Sequence, residues 1–273
     1  MAWFTLPDGV PLWYEEQGSG PVLLLIPGWT YTTRFYDAQV RELSRDHRVV
    51  TLDLRGAGNS GKTPHGHSLS QYASDVLALV EALDLQDITI VAWAMAVSVS
   101  VHAVVRDSAR LARLVWVDHS PRFFSGPDWP YGLGGDLDPW EWDAQIRALE
   151  ADRPAATRAL LEACFHEEQD PGQLEWMTAE LLKTPTEVMS TMLATVANVD
   201  LRPLLPSIQL PVLLVNGRHS MVPVEVGAWL ASHLRDARAV VLEHSGHLPY
   251  LEEADAFNSL VREFAATRAN GTC

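Results

Sequence analysis

Three short stretches of this chain hold residues that could do chemistry together. Near the carboxyl end, Ser245-Gly246-His247 puts an imidazole on a loop after an apolar run of strand length. In the middle, Val115-Trp116-Val117-Asp118 ends another such run in a carboxylate, just before His119-Ser120-Pro121. A histidine whose far ring nitrogen meets a carboxylate is fixed in one tautomer and works as a general base. The third stretch, Ala92-Trp93-Ala94-Met95-Ala96, joins an apolar run at 88–93 to an uncharged one that continues to 105. Small residues at alternate positions suit tight packing where a strand passes directly into a helix.

Other candidates are weaker. His244, three residues before His247, reads as structural. His65 and His67 lie close together without a third ligand, which makes them a polar loop rather than a metal site. Cys164 and Cys273 match no zinc spacing and cannot build a disulfide framework, so they read as a core thiol and a terminal thiol. No metal and no cofactor is implied.

The elements that must position these residues follow from apolar periodicity. Runs at 12–17 and 22–26 suggest an opening hairpin around Gly18-Ser19-Gly20. Helices are expected at 34–45, 69–83 (capped by Ser68 or Ser70), 95–106, 224–234 and 255–267. Strands are expected at 48–54, 88–93, 114–117, 212–215 and 239–242. Strand–helix alternation of this kind implies right-handed crossovers and a mostly parallel sheet covered on both faces. Between about 122 and 199 no strand is evident. Helical patterns at 138–151, 153–168, 172–183 and 186–198 fill that span, punctuated by Pro154, Pro171 and Pro185. We therefore expect an α/β core at 1–121 and 200–273, with a helical lid at 122–199 over the carboxyl ends of the strands.

Composition narrows the function. The 273 residues carry 20 Lys+Arg against 35 Asp+Glu, a formal net charge of −15. Such a surface repels phosphate, which argues against nucleic acid or anionic membrane as a partner. The uncharged run 88–105 contains Trp93, Ser98, Ser100 and His102 and changes period partway, so it reads as a buried strand feeding a buried helix rather than a membrane span. The start, Met1-Ala2-Trp3-Phe4-Thr5, lacks the basic and long apolar regions of a signal peptide. Together with the few cysteines, this points to a reducing, cytoplasmic setting. The expected partner is a small hydrophobic or aromatic molecule, and the oligomeric state is open.

In that context the central stretch resembles the G-x-S-x-G nucleophile elbow of the α/β-hydrolase superfamily, in its branch of serine esterases, lactonases and non-haem chloroperoxidases. Three more landmarks fall in the family's order: Pro27-Gly28-Trp29 at the oxyanion loop, Asp53-Leu54-Arg55-Gly56-Ala57-Gly58-Asn59-Ser60 at the D-x-R-G-x-G-x-S turn, and Ser245-Gly246-His247 at the terminal histidine loop. The resemblance implies an eight-stranded sheet with a cap inserted after the sixth strand. It puts Ala94 at the nucleophile position, His247 as base, and the backbone N–H groups of Trp29 and Met95 as oxyanion donors. The family's acid usually follows the strand at 212–215. Here Asn216-Gly217-Arg218-His219-Ser220 offers no carboxylate, and Asp118 at the end of the preceding strand is assigned instead. Asp53 and Arg55 read as a structural turn pair, and Glu252 as a pin for the last helix. Trp93, Phe123, Trp129, Trp140 and Trp142 are the expected substrate-binding aromatics.

Alanine at the elbow leaves three functional readings. The first is an ester, thioester or lactone hydrolase with Ala94 in place of its serine. The second is an enzyme that lacks the serine by nature and uses the His247–Asp118 pair as a base, resembling the cofactor-independent 2,4-dioxygenases of this fold, or acting as a decarboxylase or cyclase. The third, disfavoured by the retained His and Asp, is a ligand-binding pseudoenzyme.

Overall fold

A computed structural model of the protein describes residues 1–133 and 139–267. The expected thiol at Cys273 and the first residue of the helix expected at 138–151 lie outside the described residues. The chain opens with an antiparallel hairpin of β1 (Ala2–Thr5) and β2 (Pro11–Gln17). The hairpin expected between 12–17 and 22–26 does not form. Strand β4 (Arg48–Leu52) lies between β2 and β3 (Val22–Ile26), antiparallel to the first and parallel to the second. The turn at Gly18 shows why. A Cβ there would stand 2.2 Å from the His47 carbonyl oxygen, so this bend is pressed against the segment that leads into β4. All five residues of β3 are apolar and buried, which suits an interior parallel strand covered on both faces.

The rest of the sheet follows the expected alternation. Helix α1 (Asp37–Leu43) precedes β4, and α2 (Leu69–Ala82) is capped by the Ser68 hydroxyl, which accepts from the Gln71 amide at 3.2 Å. Then come β5 (Ile88–Trp93), α3 (Met95–Arg106) and β6 (Leu111–Val117). Among the described residues four helices fill the gap before β7 (Val212–Gly217): α4 (Pro139–Ala151), α5 (Arg153–Ala163), α6 (Pro171–Leu181) and α7 (Thr186–Ala197). The chain closes with α8 (Val224–His233), β8 (Ala237–Leu242), α9 (Pro249–Glu252) and α10 (Ala254–Ala266). The eight strands lie in the order β1-β2-β4-β3-β5-β6-β7-β8.

Side chains alternate across the sheet with the period of two that pleating imposes. Leu24, Ile90, Leu114 and Leu214 point to one face, where α2, α3 and α8 contribute Val76, Val99 and Val226. Leu23, Val91, Val115 and Leu213 point to the other, against Leu43 of α1 and Phe257 and Val261 of α10. Burying these side chains contributes roughly 1.5–3 kcal/mol each. Because both faces are covered, β5 and β7 are buried along their whole length, with Thr89 and Asn216 as their polar residues.

The four inserted helices are tied down over the carboxyl ends of the strands. The Trp29 indole donates to the Met189 carbonyl at 2.9 Å, and the Thr32 hydroxyl to Glu180 at 3.0 Å. Prolines here start helices rather than end them. Pro171 is the first residue of α6, where its missing N–H costs nothing, and Asp170 caps the amides of Gly172 and Gln173.

Asp53 and Arg55 do not pair with each other, contrary to the sequence reading. Arg55 makes a two-pronged contact with Asp75 of α2 at 2.7 and 2.8 Å, while Asp53 accepts the amides of Thr33 and Asn59. Each thereby secures a different end of the same turn. Among the described residues no helix is long and apolar enough to cross a membrane.

Candidate active site

Strand β5 ends at Trp93 and α3 begins at Met95, so Ala94 alone makes the turn. Its backbone sits at φ 50°, ψ −120°, a region that costs a non-glycine residue about 1–3 kcal/mol. The sheet enforces it, for the Ala94 amide donates to the Val117 carbonyl of β6 at 3.0 Å. Met95 then opens the helix, where an N–H has no partner four residues back. Trp29 lies across the neighbouring strand end, after Gly28. A Cβ on Gly28 would stand 2.7 Å from the Trp93 ring, which is why glycine is required in this close approach.

Asp118 and His247 meet. Nδ1 of His247 and Oδ2 of Asp118 are 2.5 Å apart, with both side chains buried. The carboxylate is held from β7 as well. Its Oδ1 accepts the Gly217 amide at 3.2 Å and the Asn216 side-chain amide at 3.4 Å, and its Oδ2 accepts the Ser220 hydroxyl. The segment that lacks an acid of its own thus supplies donors to the acid of the adjacent strand. Parallel pairing of Val117 with Val215 brings the two strand ends side by side. Asp118 itself sits at φ 48°, a second strained position at this end of the sheet.

The histidine loop is braced by the inserted helices. The His247 amide donates to the Cys164 carbonyl at 2.7 Å, and the Trp93 indole donates to the His247 carbonyl at 2.7 Å. Glu252 does not pin α10, as the sequence suggested. Its two oxygens accept the amides of His166 and Gly246, each at 2.7 Å, and so join the loop after α5 to the turn before His247. Burial pushes the Cys164 thiol up to about 12, so it stays protonated beside the site.

Beside Ala94 lies a cavity of about 40 Å³ lined by Met95, Ser98, His119, Phe123, Val196 and Val199, among others. Of the five aromatics expected to bind substrate, Phe123 lines it. Trp142 packs on Phe123 at 4.8 Å between ring centroids, behind the wall. Trp93 faces the opposite side of the sheet, where its ring lies 5.0 Å from that of His247. Trp129 is buried against Trp229, and Trp140 is 72% exposed. A count of aromatics could not separate these fates, because they depend on which helix face meets the core.

Sequence reasoning missed Ser98, His119, Gly217 and Ser220 as residues of this region. The donor-rich run after β7 carried a usable signal: where an expected acid is missing, its neighbours point to where the acid went. Burial, with a smaller repulsion from His247, pushes the His119 imidazole down to about 3, so that ring is neutral near pH 7. Among the described residues no group of three or more His, Cys, Asp or Glu could hold a metal ion.

A mostly parallel eight-stranded sheet whose central strand turns in one residue into a helix, with a histidine loop after the last strand, defines an α/β-hydrolase fold. The family model for the alpha/beta hydrolase fold matches residues 21–254, and the chain belongs to that family. A pimeloyl-[acyl-carrier protein] methyl ester esterase of Vibrio campbellii is 29% identical over 264 residues, covering 93% of this chain and 98% of the relative. Among solved structures, an esterase from Exiguobacterium antarcticum superposes with a TM-score of 0.91 at 23% identity, covering 97% of this chain and 99% of the other. An enol-lactonase from Burkholderia xenovorans superposes at 0.84 with 24% identity, over 97% and 100% of the two chains.

Proposed function

We propose that this protein is built as a hydrolase of small carboxylic esters or lactones, with Ala94 standing at the position of the nucleophilic serine. The observation that carries this reading is the Asp118–His247 hydrogen bond of 2.5 Å on the same sheet edge as a strained, hydroxyl-free turn. In the reaction this scaffold suits, His247 takes the proton of an elbow serine, an acyl-enzyme forms, and water releases the acid. Asp118 holds the imidazole in one tautomer, and the backbone N–H groups of Met95 and Trp29 stabilise the developing oxyanion. The helices at 122–199 act as the cap over this site. A full-length relative that is an ester hydrolase supports the same class of bond.

The Ala94→Ser variant tests this. It should hydrolyse short-chain aryl esters at a rate up to about 10⁶ above the chain as it stands, since losing a nucleophile costs that order of turnover. If the variant folds and stays inert on a broad ester and lactone panel, the reading fails.

A second reading rests on the completeness of the acid–base pair beside a turn whose flanking residues, Ala92 and Ala96, also depart from the family's glycines. In it the unaltered chain deprotonates an acidic enol or phenol. Activity of that kind in the chain as given, abolished by His247→Ala, would favour it over the first.

A further inference from the structure

We propose that Ser98 and His119 form a hydrogen-bonding subsite that receives a neutral carbonyl oxygen on the acyl side of the bound molecule, one helical turn from Ala94. The two side chains come from different elements, Ser98 from α3 and His119 from the residue after Asp118. They approach with Oγ and Nε2 3.4 Å apart, and both line the cavity beside Ala94. The rest of that wall is mainly apolar: Met95, Pro121, Phe123, Leu133, Val196 and Val199.

Counting protons gives the ligand class. The pair holds one O–H and one N–H, and a single hydrogen bond joins the two side chains. In either tautomer of His119 one donor is therefore left over. Among the described residues neither side chain has a second hydrogen bond to absorb it. With the ring proton on Nε2 that donor is the Ser98 O–H in the cavity wall, and leaving it unmatched there costs about 1–3 kcal/mol, so an acceptor on the ligand would be bound at that point. Among the described residues no Lys or Arg lines the cavity, and the imidazole is neutral, which favours a ketone or amide oxygen over a carboxylate. The cavity volume of about 40 Å³ is room for roughly three waters, and so for a short acyl chain.

This assignment rests on the ester-hydrolase reading for the word acyl, but its test is one of binding and needs no turnover. Methyl 3-oxobutanoate and its shape-matched apolar counterpart methyl 3-methylbutanoate are titrated into the unaltered chain and followed by ligand-observed NMR, with monomethyl malonate as the anionic arm. The keto ester should bind about five- to tenfold more tightly than the branched ester, as one net hydrogen bond allows. Ser98→Ala, a change that a helix interior tolerates, and His119→Leu should each bring the two to parity. Equal affinity for both esters, binding of neither, a preference that survives both substitutions, or tighter binding of monomethyl malonate would each overturn the proposal. If Ala94→Ser is inert on esters while the keto preference holds and is lost in both variants, the subsite stands and the hydrolase reading falls.

Discussion

The two halves of the candidate site are built in opposite ways. Asp118 and His247 are fixed from several directions: β7 supplies donors to the carboxylate, Cys164 and Trp93 hold the backbone of the histidine, and Glu252 clamps the turn before it. Ala94 has no such investment in its side chain. Its backbone is strained, yet its side chain offers only a methyl group. The difference teaches that the geometry of the turn belongs to the sheet, not to the residue at its tip. The Ala94 amide is tied to the Val117 carbonyl of the next strand, while Asp118 and His247 are held through their side chains and by several partners.

That contrast can be broken most severely at the acid. On the Ala94→Ser background, Asp118→Asn should lower ester turnover by about 10⁴, because the imidazole loses the acceptor that fixes its tautomer. Turnover that is unchanged would show that another group orients His247. Glu252→Ala comes next. It removes a charged acceptor from two amides and should lower stability by about 2 kcal/mol, with faster hydrogen exchange at Gly246 and His166. Exchange that does not change at those amides would mean that the clamp is not needed. Ser220→Ala takes one donor from Asp118 and should reduce turnover of the same active background about tenfold and lower denaturant stability by about 1 kcal/mol. The smallest effect is the most pointed. Ala94→Gly should stabilise the chain by about 1 kcal/mol, the relief of strain less the entropy that glycine adds to the unfolded state. A rise in denaturation midpoint at constant slope would show it. A fall would mean that the turn is not strained.

Much of the fold was legible because it rests on local pattern. Largely apolar runs at 22–26, 88–93 and 212–215 marked strands, and the small residues after Trp93 suited a tight passage from strand to helix. The pairing of Asp118 with His247 is what the family resemblance implies once no carboxylate follows the strand at 212–215. The strand neighbours of β2, the partners of Arg55 and Glu252, and the fates of Trp129 and Trp140 were not legible. Each depends on which segments far apart in sequence arrive side by side, and residue type alone does not encode that.

By itself, the sequence determined the alternation of elements, the helical insertion, and a methyl side chain at residue 94, because each of these is written in periodicity or in a single letter. Only the tertiary structure decided that β4 separates β2 from β3, that Ser220 and Gly217 serve the acid of a neighbouring strand, and that Ser98 faces His119. Those outcomes follow from parallel register and close packing, in which a strand end meets whatever the next crossover delivers beside it.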